Sequence, residues 1–411
     1  MTTITRPSHP VKGAIHIPGS KSISNRVLVL SHLFKFDPPA NLSDSDDTRY
    51  LQQALKQIKL GGGTIDIGHA GTDMRFLTAL LAVSEGSFTL TGSSRMKERP
   101  IGELVNVLRD LGADIAYLEK ENYPPLRITG KKLDGGAVSI SGAVSSQFIS
   151  SLLLVAHQFK NGLQLTIRDE IVSRPYISMT IALLKQCGIA IKEKDNTIEV
   201  PPQQGNKISI SEKTESDWSA ASYWYSICAL SPASVIGLSD FNAESLQADA
   251  VLQKIFKRLG VVTTFNGGSV LLEQQDQASP EFEFDFTACP DIAQTLAVTC
   301  FGLGTRATLH GLKTLRIKET DRITALKKEL EKLGATVKVT GDSMQISGKP
   351  SLKRKIIIDT YNDHRMALSF APLSLVYGEI TIRDFKVVNK SYPTFPLDLL
   401  SLGFNVNLQP S

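Results

Sequence analysis

Two helical textures alternate along this chain. In the first, apolar residues keep to one stripe: Ile101, Leu104, Val105, Leu108 and Leu111 share one helical face, as do Leu252, Ile255, Phe256 and Leu259. That spacing predicts helices packed on a core by one side only. Each such stretch ends in a glycine: LKQIKLGG at Gly61, LRDLGADI at Gly112, LLKQCGIAI at Gly188, FKRLGVVTTF at Gly260, LEKLGATVKV at Gly334 and LLSLGFNVNL at Gly403. Glycine suits the left-handed residue that closes a helix, which most side chains reach only at a cost. In the second texture, RFLTALLAV, SSLLLVAHQF, ASYWYSICAL, AQTLAVTCF and RMALSFAPLSLV are apolar nearly all round. Helices of that kind are buried on every side. Short alternating stretches such as SFTLTG, PLRITG and AVSISG lie between and predict strands.

The textures recur in one order: strand, buried helix, strand, amphipathic helix, strand, strand. The closing glycines lie 51, 76, 72, 74 and 69 residues apart, so the chain repeats itself. The expected fold is α/β, with six βαβαββ repeats, one of them shortened. The missing length of about twenty residues falls between Gly61 and Gly71, where only GGTIDIGHA remains, so that repeat has lost part of its strand pair. VKGAIHI near the N-terminus reads as a final strand with no helix before it, and is expected to complete the sixth repeat. This predicts a discontinuous domain of residues 1–19 and 216–411 with three repeats. Residues 20–215 form the second domain, and two chain crossings make a hinge.

Composition narrows the function. The 411 residues are 42% hydrophobic and 21% charged, too apolar for a disordered chain. Lys and Arg exceed Asp and Glu by 45 to 41, too small an excess for coating nucleic acid. Cys187, Cys228, Cys289 and Cys300 show no C-x-x-C spacing, which argues against zinc and disulfides and for a reducing compartment. MTTITRPSHPVKG lacks the apolar core of a signal peptide, and no apolar run approaches the roughly 20 residues of a membrane span. A cytoplasmic protein is expected, with no membrane or nucleic-acid partner.

The chemistry gathers where the buried helices begin: Gly19–Arg26, Gly68–Arg75, Ser141–Gln147, Glu215–Ser222, Ala288–Gln294 and Tyr361–Ala367. Helix N-termini carry unpaired N–H groups and favour anions. Ser, Thr and Asp there also serve as plain caps. Cations beside the caps, Lys21, Arg26, Arg75 and Arg365, add weight to anion binding. Three more basic segments follow: Arg95–Pro100, Arg316–Arg322 and Val387–Pro393. RIKETDR also fits a solvated helix face, with Lys318 and Arg322 flanking Glu319. A cleft collecting Lys21, Arg26, Arg99, Lys318, Arg322, Arg365 and Lys390 suits a small substrate with several negative charges.

PGSKSISNR, AGTDMRF, RMKERPIG, SGAVSSQF, SRPY, KETDR and YNDHRMA occur in that order. In this conjunction, over essentially the whole chain, the sequence resembles the 5-enolpyruvylshikimate-3-phosphate synthases (3-phosphoshikimate 1-carboxyvinyltransferases) of the enolpyruvyl transferase family. The resemblance implies a two-domain inside-out α/β barrel, helices within and sheets outside, with the active site in the cleft between domains. It implies transfer of the enolpyruvyl group of phosphoenolpyruvate to the 5-hydroxyl of shikimate 3-phosphate, a step of aromatic amino acid biosynthesis. A tetrahedral intermediate forms and expels phosphate. No metal or organic cofactor is implied, and a monomer is expected. Carried over by motif, Lys21, Ser22, Arg26, Ser145, Ser146, Gln147, Ser173, Tyr176, Asp291 and Lys318 form the shikimate 3-phosphate site. Lys21, Gly71, Thr72, Arg99, Gln147, Arg322, Arg365 and Lys390 form the phosphoenolpyruvate site, where the inhibitor glyphosate is expected to compete. Asp291 is the candidate base and Glu319 the candidate acid, with Lys21, Lys390 and His364 sharing the proton traffic.

Three positions depart from the family pattern: His69 in place of Asn, Phe76 in place of Pro, and Thr314 in place of Asn. The nearest alternative is the enolpyruvyl transferase acting on UDP-N-acetylglucosamine, which typically carries a Cys before its RP motif. TGSSRMKERP has none. A non-catalytic anion-binding module is a third reading, and Asp291 and Glu319 count against it, since such a module has no use for carboxylates there.

Overall fold

In a computed structural model, which describes residues 1–202, 208–351 and 356–408, six helices are buried almost throughout their length. They are α1 (Lys21–Phe34), α2 (Gly71–Val83), α3 (Ser146–Ala156), α4 (Trp218–Leu230), α5 (Ala293–Leu303) and α6 (His364–Phe370). The all-round apolar segments thus became interior helices, because no face of them can profitably meet water. All six closing glycines have positive φ, from 81° at Gly61 to 102° at Gly334. A side chain there would strain the backbone.

The chain divides into two units, Met1–Pro18 with Glu215–Ser411, and Gly19–Thr214. Within the second unit, strands Gly62–Asp66, Gly86–Thr91, Leu126–Gly130 and Asp114–Tyr117 lie side by side in that order. The first two are parallel and the rest antiparallel, with Gly62 opposite Ser87 and Ser87 opposite Thr129. The same order, first strand, second, fourth, third, recurs in four of the five four-stranded sheets found among the described residues, and in the fifth Thr2–Thr5 takes the fourth strand's place. A parallel pair needs a crossover helix and an antiparallel pair only a turn, so this order follows from the sequence of elements. Between Gly19 and Gly62 the described residues form α1 and the helix Asp46–Ile58 without a strand pair, and an isolated bridge joins Ala40 to Lys213.

The N-terminal strands correct the expectation for VKGAIHI. Lys12–Ile15 runs parallel to Val235–Ser239 and opens a different sheet. Thr2–Thr5 instead completes the C-terminal sheet, between Glu379–Ile382 and Asn405–Leu408. Thr2, Thr3, Ile4 and Thr5 are all β-branched and suit a pleated surface, with Ile4 fully buried. The crossover from Ile15 to Val235 therefore contains the entire second unit.

Each unit has its own core. In the first, hydroxyls join the interior helices: Ser222 to Thr295 at 3.1 Å, Thr295 to Ser369 at 3.3 Å and Thr299 to Ser226 at 2.7 Å. Small residues let helix axes approach, and the paired hydroxyls avoid the cost of buried unsatisfied oxygens. In the second, Asn25 donates to Asp73 at 2.8 Å and accepts from Thr48 at 2.7 Å. Where the chain re-enters the first unit, the buried Glu215 carboxylate accepts from Trp218 Nε1, Asn242 N, Ser245 Oγ and Gln247 Nε2. No helix among the described residues is long and apolar enough to cross a membrane, and all four cysteines are free and buried.

Candidate active site

In the unit Gly19–Thr214, candidate residues stand at helix starts. Lys21 opens α1, and its ammonium meets the buried Asp47 carboxylate at 3.1 Å. Gly71 opens α2, where a Cβ would lie 2.2 Å from Arg99 Nη1, so glycine lets the guanidinium rest on the helix terminus. Gln147, in the first turn of α3, donates to Thr72 Oγ1 at 3.1 Å and ties the two helix starts together. Ser145 caps α3 by accepting from Gln147 N. Ser173 precedes the helix Arg174–Gln186 with φ at 56°, a left-handed conformation rare outside glycine. Tyr176 follows in the first turn.

Two cations near these starts turn inward. Arg26 is 2% exposed; it donates to Thr180 Oγ1 at 2.7 Å, Ser22 O at 2.8 Å, and Ser150 Oγ and Tyr176 O at 3.2 Å. Its guanidinium also lies 5.2 Å from the Phe76 ring centre, so the Phe76 departure contacts Arg26. Burial lowers the Arg26 pKa to about 10. Arg75 bonds the carbonyls of Gly71 and Pro100 and is likewise a core residue. His69 lies 4.0 Å from the Asp47 carboxylate and edge-on to Tyr50.

In the other unit, candidate cations and carboxylates interleave. RIKETDR is not a solvated helix face: Lys313–Ile317 is a 3₁₀ turn, and the helix begins only at Arg322. Arg322 is 1% exposed and pairs with Asp363 at 2.7 Å, Glu319 at 2.8 Å and Asp291 at 3.5 Å. Burial opposes its charge, but Asp363, Glu319 and Asp291 outweigh that and hold its pKa above the ordinary value. Asp291, on the turn Pro290–Ile292, also meets Arg365 at 2.9 Å and Lys318 at 3.8 Å. Glu319 meets Lys390 at 2.6 Å. His364 and Arg365 open α6, which Asp363 caps by accepting from Arg365 N at 2.9 Å. His364 Nδ1 lies 3.6 Å from Asp363. The basic surface expected from sequence is here an alternating lattice of Lys318, Arg322, Arg365 and Lys390 with Asp291, Glu319 and Asp363. Carboxylates held between cations can exchange protons beside a bound anion, which a uniformly positive patch cannot do.

The profile of the EPSP synthase (3-phosphoshikimate 1-carboxyvinyltransferase) family matches residues 42–399. The chain belongs to the EPSP synthase family. It is 45% identical over 402 residues to a 3-phosphoshikimate 1-carboxyvinyltransferase of Bacteroides fragilis, spanning 97% of each chain. A namesake from Photobacterium profundum is 35% identical, covering 95% of this chain and 96% of its own. An EPSP synthase structure from Acinetobacter baumannii shares the fold, with a TM-score of 0.77 over 99% of this chain and 100% of its own at 21% identity.

Among the partners of these cations, Asp291 and Glu319 were legible in the sequence, whereas Asp47 and Asp363 were not. Asp47, which holds Lys21, lies in the first turn of the helix after Ser45, and Asp363 stands inside the YNDHRMA motif. Both read as helix-start acids, and nothing local says which cation each will face. Asp249 and Tyr223 were also missed. Tyr223 contributes its hydroxyl 3.4 Å from Arg365 Nη1, and burial pushes its pKa up to about 12.

Proposed function

We propose that this chain joins phosphoenolpyruvate to the 5-hydroxyl of shikimate 3-phosphate, giving 5-enolpyruvylshikimate 3-phosphate and phosphate. The observation that carries this reading is the pair of candidate acid–base carboxylates, each set between cations: Asp291 among Arg365, Arg322 and Lys318, and Glu319 between Arg322 and Lys390. Asp291 takes the hydroxyl proton as its oxygen bonds to C2 of phosphoenolpyruvate. Once the charges of bound phosphoenolpyruvate offset its two cations, Glu319 takes a proton relayed by Lys390 and gives it to C3, which becomes a methyl group. Loss of a proton from that methyl then expels phosphate from C2 and restores the double bond. Lys21, Lys390 and His364 share in returning these protons. Arg99, Arg322 and Arg365 clamp carboxylate and phosphate, with Gly71, Thr72 and Gln147 around them. Ser22, Arg26, Ser145, Ser146, Ser173, Tyr176 and Lys318 hold shikimate 3-phosphate.

The finer architecture belongs to the same proposal: six βαβαββ repeats, one shortened, as a two-domain inside-out α/β barrel. The residues proposed to hold the ligands belong to both units, in a monomeric cytoplasmic enzyme. Phosphate release with phosphoenolpyruvate tests the reaction. Release should require shikimate 3-phosphate, fail with UDP-N-acetylglucosamine, and persist in EDTA. Release with the nucleotide sugar, or with neither acceptor present, overturns the assignment.

A further inference from the structure

A second, buried carboxyl feels the charge of the candidate base. Asp249 sits on the 3₁₀ turn Ala248–Val251 and is 3% exposed. Its Oδ2 is bonded to the Ser219 hydroxyl, while Oδ1 has no hydrogen-bond partner. Ser219 belongs to the first turn of α4, and α4 packs against both the Asp249 turn and the Pro290–Ile292 turn that carries Asp291. On α4, Ser219 lies one helical turn before Tyr223, whose hydroxyl accepts from Arg365, and Arg365 meets Asp291, so α4 links Asp249 to that pair; Asp249 has no salt bridge among the described residues. The groups bearing on it are Asp217 at the α4 cap, Cys289 and Asp291 on the second turn, and Arg365 on α6. Lys254 and Lys257, on the helix that follows Asp249, are exposed.

Burial and then the Asp291 charge push the Asp249 pKa up to about 7, against the lowering by Ser219 and Arg365. A buried carboxyl in this state is neutral in mildly acid solution and becomes an anion near neutrality. Arg365, 2.9 Å from Asp291, is the cation that such an anion draws upon.

Resting on the function proposed above, we propose that Asp249 is a positioning residue for phosphoenolpyruvate capture, acting through Arg365. With Asp249 neutral, it adds no charge that competes with Asp291 and the incoming anion for Arg365. When Asp249 gives its proton to solvent, the new buried charge competes for Arg365 and weakens the hold on phosphoenolpyruvate. The two carboxyls are also coupled. Once Asp291 has taken the hydroxyl proton, the charge that favoured protonated Asp249 is gone, and Asp249 ionises more readily.

The test compares pH profiles of KM for phosphoenolpyruvate at saturating shikimate 3-phosphate, in the wild-type chain, Asp249→Asn and Ser219→Ala. Between about pH 6 and 8.5, the wild-type KM should rise about threefold or more beyond the change in Asp249→Asn, while kcat changes by less than about twofold. Asparagine mimics the neutral acid and removes the rise. Ser219→Ala deletes a bond that favours the anion, so the rise should move to higher pH. A purely structural Asp249 would leave the shape of all three profiles alike, and that result overturns the proposal. An infrared titration of ligand-free protein labelled with ¹³C-aspartate reads Asp249 without turnover and without the asparagine variant. It should show a protonated carboxyl band at about pH 6 that fades through neutrality. Absence of the band refutes the proposal even if the enzyme is active. A band in a protein inactive on both substrates refutes the function proposed above instead.

Discussion

Asp291 shows how one side chain is specified by its neighbours. Three cations lie within 3.8 Å of its oxygens, and Arg365 is the nearest at 2.9 Å. Those charges favour the carboxylate, the form a general base must have. Asp291→Asn keeps the shape and can still accept a hydrogen bond, but it cannot take a proton. Turnover should fall by roughly 10²–10⁴-fold while the Kd for shikimate 3-phosphate changes by less than about tenfold. Steady-state kinetics and calorimetric titration together check this. Undiminished turnover would move Asp291 to the role of organising Arg365 and Lys318 only. Serines and arginines in quoted motifs were legible as candidates because their types suit phosphate and carboxylate. Arg75 shows the limit, since a cation beside a helix start can equally turn inward and bind backbone carbonyls.

At the scale of elements, two aspartates cap neighbouring helices and differ in what else they hold. Asp321 accepts from Thr324 N at 3.1 Å at the start of Arg322–Lys332 and is half exposed. Asp363 caps α6 and is fully buried against Arg322. Asp321→Ala should cost about 1 kcal/mol, the usual loss of a cap. Asp363→Ala should cost roughly 3–5 kcal/mol, because it leaves the Arg322 charge buried with one partner fewer. Urea unfolding followed by tryptophan fluorescence measures both, since Trp218 and Trp224 lie in the same unit as these caps. Equal costs would mean Arg322 does not depend on Asp363. Helix types and ends were readable from hydrophobic period and glycine, whereas strand partners were not. Thr2–Thr5 is too short to show a period, and only its neighbours define it as the completing strand.

The whole molecule has two cores, and acid acts on them with opposite sign. His157, 1% exposed and stacked on Phe34, has its pKa lowered to about 4 by burial. A depressed histidine stabilises above its unfolded pKa of about 6.5 and loses that contribution as pH falls toward 4. Half-buried His32, in the same unit, is lowered to about 4 by burial and by Lys35 and Lys59. Asp249, in the other unit, has a raised pKa, so its contribution is full below about pH 3.8 and is lost as pH rises through about 7. From pH 7.5 to 5, Gly19–Thr214 should lose about 2 kcal/mol through His157, while the other unit gains about 2 kcal/mol through Asp249. Both tryptophans report the latter unit, so their fluorescence midpoint in urea should hold or rise as the far-ultraviolet dichroism splits into two transitions. A single transition falling in parallel by both signals would show the units unfolding as one.

Sequence by itself determined the quantities that are local: helical period, all-round burial of the interior helices, the six left-handed glycines, and the motifs that place the chain in its family. These depend on residues within a few turns of one another, so a linear reading reaches them. Tertiary structure alone decided which charges meet. Arg322 reaches Asp363 across 41 positions and Lys390 reaches Glu319 across 71, and no periodicity spans such distances. It also decided that Lys12–Ile15 pairs with Val235–Ser239, and that Asp249 is buried against Ser219 within reach of the Asp291 charge. In each case the energy of a group depends on what is desolvated beside it, and that is set only when the elements have packed.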